Sequence, residues 1–382
     1  MNFRLITLCF APFAFGTSAF VLLGLIQPVA QDLNVSVATV GYLQAAFAFS
    51  CGFGGPLLAR FTSHLDRKKL LIFVMFVLVL LNAVTALATS FTFILYLRLA
   101  TGMFAALTLP LATTIAVSMV SEDKRASAIS TVLIGYTIAF LLGIPAGSIL
   151  GDAFGWQTAF GFAAAISAFG LVMIAILAPA HIAITDLSNI NFKSALVGDN
   201  PRLMLSSMLI FFATFSTVSF IGPVITATSE IQGKGIGWIQ IATGVGGLIG
   251  LPIGARLSKY GLRTALMGLL IVTLLTQVLF SLGMLFNLAA FTLPVLLIAM
   301  AIGAAALFAS LPIIQAKLAQ NAGPATTIAF ALNGTMLYLG QGLGAALAAL
   351  IISAFGIAWL GVLGTLVALV GMWNVSSLSD VK

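Results

Sequence analysis

Twelve runs of about 20 mostly apolar residues follow one another along this chain, separated by short polar or basic stretches. They lie near 5–27, 37–60, 70–89, 91–119, 127–150, 157–178, 203–226, 236–257, 264–286, 290–316, 325–353 and 357–375. As an α-helix, each run is long enough to cross the roughly 30 Å hydrocarbon core of a bilayer. Lipid offers no hydrogen bonds, so a spanning backbone must satisfy itself as a helix or a closed barrel. Barrel strands alternate apolar and polar residues over about ten positions. Stretches such as Leu70–Leu87 are apolar almost throughout, which selects helices.

Composition excludes a water-soluble alternative. Hydrophobic residues make up 61% of the 382 positions and charged residues 7%, with a mean hydropathy of +1.19. A soluble chain carries about a quarter charged residues. The first run follows Arg4 like a signal peptide, but it is too long for an h-region and another run follows at once, so it reads as a membrane helix. The net charge of +7 comes from short basic clusters between the runs, a topogenic pattern rather than a nucleic-acid surface. With the N-terminus in the cytoplasm, all Lys and Arg face the cytoplasm except Lys234, in an outer loop, and Arg98, within a run. Both termini are then cytoplasmic. Cys9 and Cys51 fall inside runs and are expected as packed thiols; no metal or cofactor is expected.

The chain also repeats itself. Pro56-Leu-Leu-Ala59-Arg60-Phe-Thr-Ser-His-Leu-Asp-Arg67 aligns with Pro252-Ile-Gly-Ala255-Arg256-Leu-Ser-Lys-Tyr-Gly-Leu-Arg263, and both segments join the second and third spans of their half. Phe154-Gly155 and Phe355-Gly356 both sit between fifth and sixth spans. The expected fold is an all-α membrane protein of twelve transmembrane helices in two pseudo-symmetric six-helix bundles. The first bundle covers 1–180, a polar cytoplasmic linker 181–201 and the second bundle 202–382. Parallel halves of this kind are a transporter architecture, with substrate bound between them near the midplane.

Three segments carry a family resemblance. Ala59-Arg60-Phe61-Thr62-Ser63-His64-Leu65-Asp66-Arg67-Lys68-Lys69 resembles the loop signature of the major facilitator superfamily. Arg98-x-x-x-Gly102-x-x-x-Ala106 is similar to the family's arginine motif. Gly143-Ile-Pro145-Ala-Gly147, flanked by Gly135 and Gly151, resembles the antiporter motif of the drug:proton branch, as do Gly16-Thr17-Ser18 and Gly24-Leu25. The chain is similar to bacterial arabinose-, purine- or drug-efflux permeases. The resemblance implies alternating access in the bacterial inner membrane, export of a small organic solute or drug, and proton antiport; a monomer is expected. It also implies conformational roles for Ser63, Asp66, Arg67, Gly102, Gly143, Pro145 and Gly147. The family has aspartate where Ser63 stands, and Asp66 lies three residues later, where it could replace that charge. For the span 5 segment two readings stay open: it packs the two halves together beside the cavity, as the resemblance implies, or it makes a general tight helix contact.

Arg98 is the leading site candidate. An arginine inside a span costs at least about 2.5–3.5 kcal/mol on insertion scales, so it must face protein or a wet cavity. Two readings stay open: a cavity cation that meets substrate or senses coupling protons, or a structural arginine bonded to carbonyls of span 1. Gln44, Tyr136, Phe212, Phe215, Ser216, Asn333 and Gln341 are further candidate cavity groups. All nine acidic residues fall in loops or at span ends. Proton coupling, which usually needs a carboxylate reachable from both sides, therefore stays open, with Asp32 and Glu230 as candidates. An Arg98 with no buried acid opposite it would suit an anionic or acceptor-rich substrate. The alternatives are an uncoupled facilitator or an importer of a small anionic metabolite. A membrane-embedded enzyme is disfavoured, because both histidines lie in loops and the spans hold no acid.

Overall fold

The computed structural model describes residues 3–62, 64–121, 124–179, 192–229, 231–286 and 292–378. Ser63, Glu230 and most of the expected linker lie outside the described residues. Twelve helices are long and apolar enough to cross a membrane. They are α1 (Arg4–Gly24), α2 (Val37–Phe61), α3 (Arg67–Ala86), α4 (Phe91–Ser118), α5 (Ser127–Phe154), α6 (Trp156–Leu177), α7 (Asn200–Val218), α8 (Lys234–Leu257), α9 (Leu262–Leu285), α10 (Thr292–Ala322), α11 (Thr326–Phe355) and α12 (Ile357–Ser376).

Two helix starts are fixed by capping side chains. Ser36 starts α2 by accepting from the Thr39 N–H at 3.0 Å, and Asp66 starts α3 by accepting from the Lys69 N–H at 2.9 Å. α10 runs to Ala322, so Lys317 lies on a helix and not in a loop as its charge had implied. α7 begins at Asn200, inside the stretch expected as linker.

The packing order repeats between halves. In the first bundle α1 packs on α5 and α6, α2 on α4, and α3 on α6 and α4. In the second, α7 packs on α11 and α12, α8 on α10, and α9 on α12 and α10, the same contacts six helices on. The seams between bundles are equivalent as well: α2 packs on α11, and α8 on α5. Gly155 and Gly356, matched in the sequence repeat, take the same left-handed backbone at φ 92° and 91°. α1 and α7 are the most enclosed spans, with 83% and 67% of their apolar windows buried, so they stand at the centre of the molecule. Pro56 and Pro252 both sit near the ends of their helices, α2 and α8.

Candidate substrate crevice

Both central helices break. α1 is α-helical over Phe10–Phe20, tightens into a 3₁₀ turn over Val21–Gly24 and restarts as Ile26–Asp32. α7 ends at Val218 and its chain resumes as a helix over Ile221–Ser229. The two breaks meet across the bundle boundary: a Cβ on Gly222 would stand 3.0 Å from the Leu23 carbonyl oxygen. Interrupted helices at matching places in two halves mark the binding region of many transporters, because unwound backbone is tolerated in a membrane only where protein or a cavity satisfies it.

Arg98 satisfies part of this break. It is 1% exposed, and its guanidinium donates to the Ser18 carbonyl at 2.7 Å and the Ala19 carbonyl at 3.0 Å. The last carbonyls of an α-helix have no partner within it, and these two belong to the final turn before the helix ends at Phe20. A cation at this negative end of the helix dipole is favourable. The same side chain donates to the Leu43 carbonyl at 3.5 Å and to Gln44 Oε1 at 3.3 Å, and lies 4.3 Å above the Phe47 ring. Arg98 thus ties α4 to α1 and α2 and is fully engaged without an acid or an anion. Gly102, one turn on, lets α4 sit close to α2; a Cβ there would overlap the Phe47 carbonyl.

In front of Arg98 and Phe47 lies a cluster of aromatic rings drawn from both bundles. Phe15 is 6.2 Å from Phe47, 5.9 Å from Tyr136 and 6.0 Å from Tyr338 of α11. Phe20 is 4.7 Å from Phe140 and 5.8 Å from Phe215 of α7. Phe308 of α10 meets Tyr136 at 6.1 Å and Phe140 edge-on at 5.2 Å. These separations suit edge-to-face and offset pairing. Gln341 is three residues beyond Tyr338 on the same face of α11, 1% exposed, with neither polar atom partnered. Asn333 Oδ1 and Gln44 Nε2 are likewise buried and unpartnered. Buried polar groups without partners cost about 1–3 kcal/mol each.

The sequence candidates divide accordingly. Tyr136 and Phe215 join the cluster, and Gln44 lies behind it beside Arg98. Phe212 packs instead with Leu209 and Val367 inside the second bundle, and the Ser216 hydroxyl donates to the Ala213 carbonyl at 2.7 Å. Both face α12: a Cβ on Gly364 would stand 2.7 Å from Ser216 Oγ. Phe15, Phe20, Phe47, Phe140, Phe308 and Tyr338 were not anticipated. Cys9 and Cys51 are free and buried, donating to the Thr131 and Gly102 carbonyls at 2.9 and 3.1 Å.

The span 5 segment does two things at once. Gly135, Gly143, Gly147 and Gly151 face α1, where added Cβ atoms would overlap Cys9, Thr17, Val21 and Leu25, so these glycines build the first bundle and not the seam. The seam to α8 uses the opposite side. Pro145 offers its carbonyl 2.9 Å from where a Gly237 Cβ would be, and Gly244 lies against the Leu141 backbone. Pro145 has no N–H to give its helix, and just before it the chain loops out into a π-bulge over Ala139–Gly143. Between the levels of Gly237 and Gly244 on α8, the Ser148 hydroxyl donates to Gln240 Oε1 at 2.7 Å across the seam. At the far end, Asp152 accepts from the Lys234 N–H at 2.8 Å, capping α8 from the other bundle. Asp32, nearby, is held by Trp156 Nε1 at 2.8 Å and Gln157 Nε2 at 3.2 Å. Asp66 serves α3 as its cap, and Arg67 donates to the Thr62 carbonyl at 3.4 Å. Among the described residues no Asp or Glu is buried, and none forms a cluster able to hold a metal.

Twelve spanning helices in two bundles with matching packing, with a cluster of rings and unpaired amides on their boundary, define a membrane transport protein. The chain belongs to the Major Facilitator Superfamily, whose sequence pattern matches residues 8–225. It is 28% identical over 374 residues to the inner membrane transport protein YdhP of Escherichia coli (strain K12), covering 96% of this chain and 94% of that one. It is 34% identical over 268 residues to a chloramphenicol resistance protein of Streptomyces lividans, covering 68% and 67%. A crystal structure of a POT family transporter in complex with 5-aminolevulinic acid superposes with a TM-score of 0.79 over 98% of this chain and 94% of that chain, at 11% identity.

Proposed function

We propose that this transporter exports small, uncharged organic solutes from the cytoplasm by alternating access at the crevice between its bundles. The observation that carries the proposal is the make-up of that boundary: rings from both halves, with Gln341 beside Tyr338 offering unused hydrogen-bonding atoms. A solute bound there touches both bundles, so their relative motion acts on it. The Streptomyces relative is named for resistance to chloramphenicol, and this supports efflux of a neutral aromatic amide as the working substrate class.

The bundles are taken to move as 1–180 and 202–382 about the linker, with both termini in the cytoplasm and the Asp152 end facing outward. Arg98 acts as a positioning residue: it fixes the broken turn of α1 and the ring of Phe47, and the solute need not be an anion. The span 5 glycines hold α5 to α1 so that the pair moves as one. The proposal contains no proton step, since the described acids all lie outside the buried interior.

Purified full-length protein in proteoliposomes tests this. Counterflow of labelled chloramphenicol is expected, reduced roughly tenfold by Tyr136→Ala or Gln341→Ala, the loss expected for one good ring or amide contact. Absence of counterflow for chloramphenicol and for neutral aromatic amides generally would refute the substrate class.

A further inference from the structure

The two bundles carry matching helices, yet α2 and α8 are capped at their first turns in different ways. α2 is capped from its own sequence, by the Ser36 hydroxyl on the Thr39 N–H. At the corresponding place α8 has Gly233, which offers no side chain, and the Lys234 N–H goes to the Asp152 carboxylate of the first bundle at 2.8 Å. The fit needs glycine twice over. A Cβ on Gly233 would overlap the carboxylate, and the residue stands at φ 60° and ψ −135°, a backbone that side chains disfavour. On the first bundle's side, Asp152 sits on a braced corner: the chain turns at Gly155, and the buried Trp156 donates its indole N–H to Asp32. The matching corner of the second bundle does not reach across. Ser353 stands two residues before its Phe-Gly pair, as Asp152 does, but its hydroxyl donates to the Ala349 carbonyl of its own helix at 3.0 Å. The α5–α8 seam thus carries a charge-assisted bond that its counterpart, α2–α11, does not repeat at this place.

We infer that Asp152 is a clasp between the bundles, holding their outer ends together by capping a helix it does not belong to. Parting those ends hands both the Lys234 N–H and the carboxylate to water, and the difference between a cap and water is the weight of the clasp. The carboxylate also meets the positive end of the α8 dipole. The α5–α8 contacts described above, from Leu141 to Asp152, run from the middle of the seam to this end, so they open and close with it. In an exporter such a bias keeps the crevice turned toward the side from which solute is loaded. The clasp rests on the alternating-access reading above, though not on the solute chosen there.

Spin-label distances in the purified full-length protein, held in nanodiscs, test this at both ends. One pair, Leu87→Cys with Phe286→Cys, sits at exposed positions at the outer ends of α3 and α9. A second, Phe61→Cys with Tyr260→Cys, sits at exposed positions at the inner ends of α2 and α8. The native thiols at Cys9 and Cys51 are buried. Asp152→Ala is expected to raise the ratio of long to short outer distances roughly fivefold, the weight of one cap, and to lower that ratio at the inner ends by the same factor. Gly233→Ala, which pushes the carboxylate off α8, should shift both ends the same way. Asp152→Asn should match the parent, since asparagine caps as well as aspartate does. Distances that ignore residue 152, an asparagine variant that behaves like alanine, or outer widening without inner narrowing, as local fraying of α8 would give, would overturn the inference. If both ends shift in Asp152→Ala while chloramphenicol counterflow fails in every variant, the clasp stands and the chosen solute falls. If counterflow proceeds while the distances ignore residue 152, export stands and the clasp falls.

Discussion

Replacing Arg98 should rank two substitutions in an unexpected order. Arg98→Lys keeps the charge but loses the planar fork that reaches Ser18 and Ala19 together. A lysine ammonium can serve one of these carbonyls, leaving the other and the Gln44 and Leu43 contacts unmade. With hydrogen bonds to charged groups worth about 1.5–3 kcal/mol each, losing three costs about 4.5–9 kcal/mol, and the buried charge remains. Arg98→Ala orphans both span 1 carbonyls, about 2–6 kcal/mol together. It also removes a charge whose insertion costs at least about 2.5–3.5 kcal/mol, so the net change runs from a gain of about 1.5 to a loss of about 3.5 kcal/mol. The lysine variant should therefore be no more stable than the alanine variant. Thermal unfolding in detergent, with hydrogen exchange at the backbone of Val21–Gly24, measures both. A lysine variant with wild-type stability and wild-type protection of that turn would refute the capping role and return Arg98 to the cavity as a simple charge.

Gly244→Ala puts a methyl group against the Leu141 backbone, which cannot swing aside as a side chain can, and should cost about 1–3 kcal/mol and loosen the seam, seen as faster thiol labelling of a Ser148→Cys variant. Gly268→Ala, where nothing lies within 4 Å, should leave stability unchanged or raise it by up to about 1 kcal/mol. Equal effects at the two sites would contradict the packing described. Solute counterflow should proceed at the same rate with and without a pH gradient across the vesicle membrane. Gradient-driven accumulation that disappears in Asp152→Asn or Asp32→Asn would show a proton step at the outward end instead.

Much of the fold was legible because lipid makes hydropathy almost sufficient. Apolar runs, basic clusters and the Pro56/Pro252 repeat placed twelve helices in two halves, and the paired Phe-Gly turns at Gly155 and Gly356 proved to share a backbone conformation. The side chains of the site were harder to read. Thirty phenylalanines stand along the chain, and spacing alone does not say which face of a helix meets the other bundle. Phe212 and Phe215 lie on the same helix, yet only Phe215 reaches the boundary. The partners of Arg98 depend on where α1 unwinds, and no proline marks that point. Asp66, expected to replace a missing loop charge, also caps α3, a bond that the motif alone did not announce. The span 5 motif was expected at the seam or as a tight helix contact; its glycines pack tightly on α1, and the proline and the bulge beside them meet α8.

The central claim is that the bundles part and close along the α5–α8 seam during each transport cycle. Ser148→Cys with Gln240→Cys, at positions whose side chains now meet across that seam, can be joined by a short bifunctional thiosulfonate in proteoliposomes. Bridged protein should lose chloramphenicol counterflow and regain it when reductant releases the bridge. Undiminished counterflow through fully bridged protein would contradict the claim.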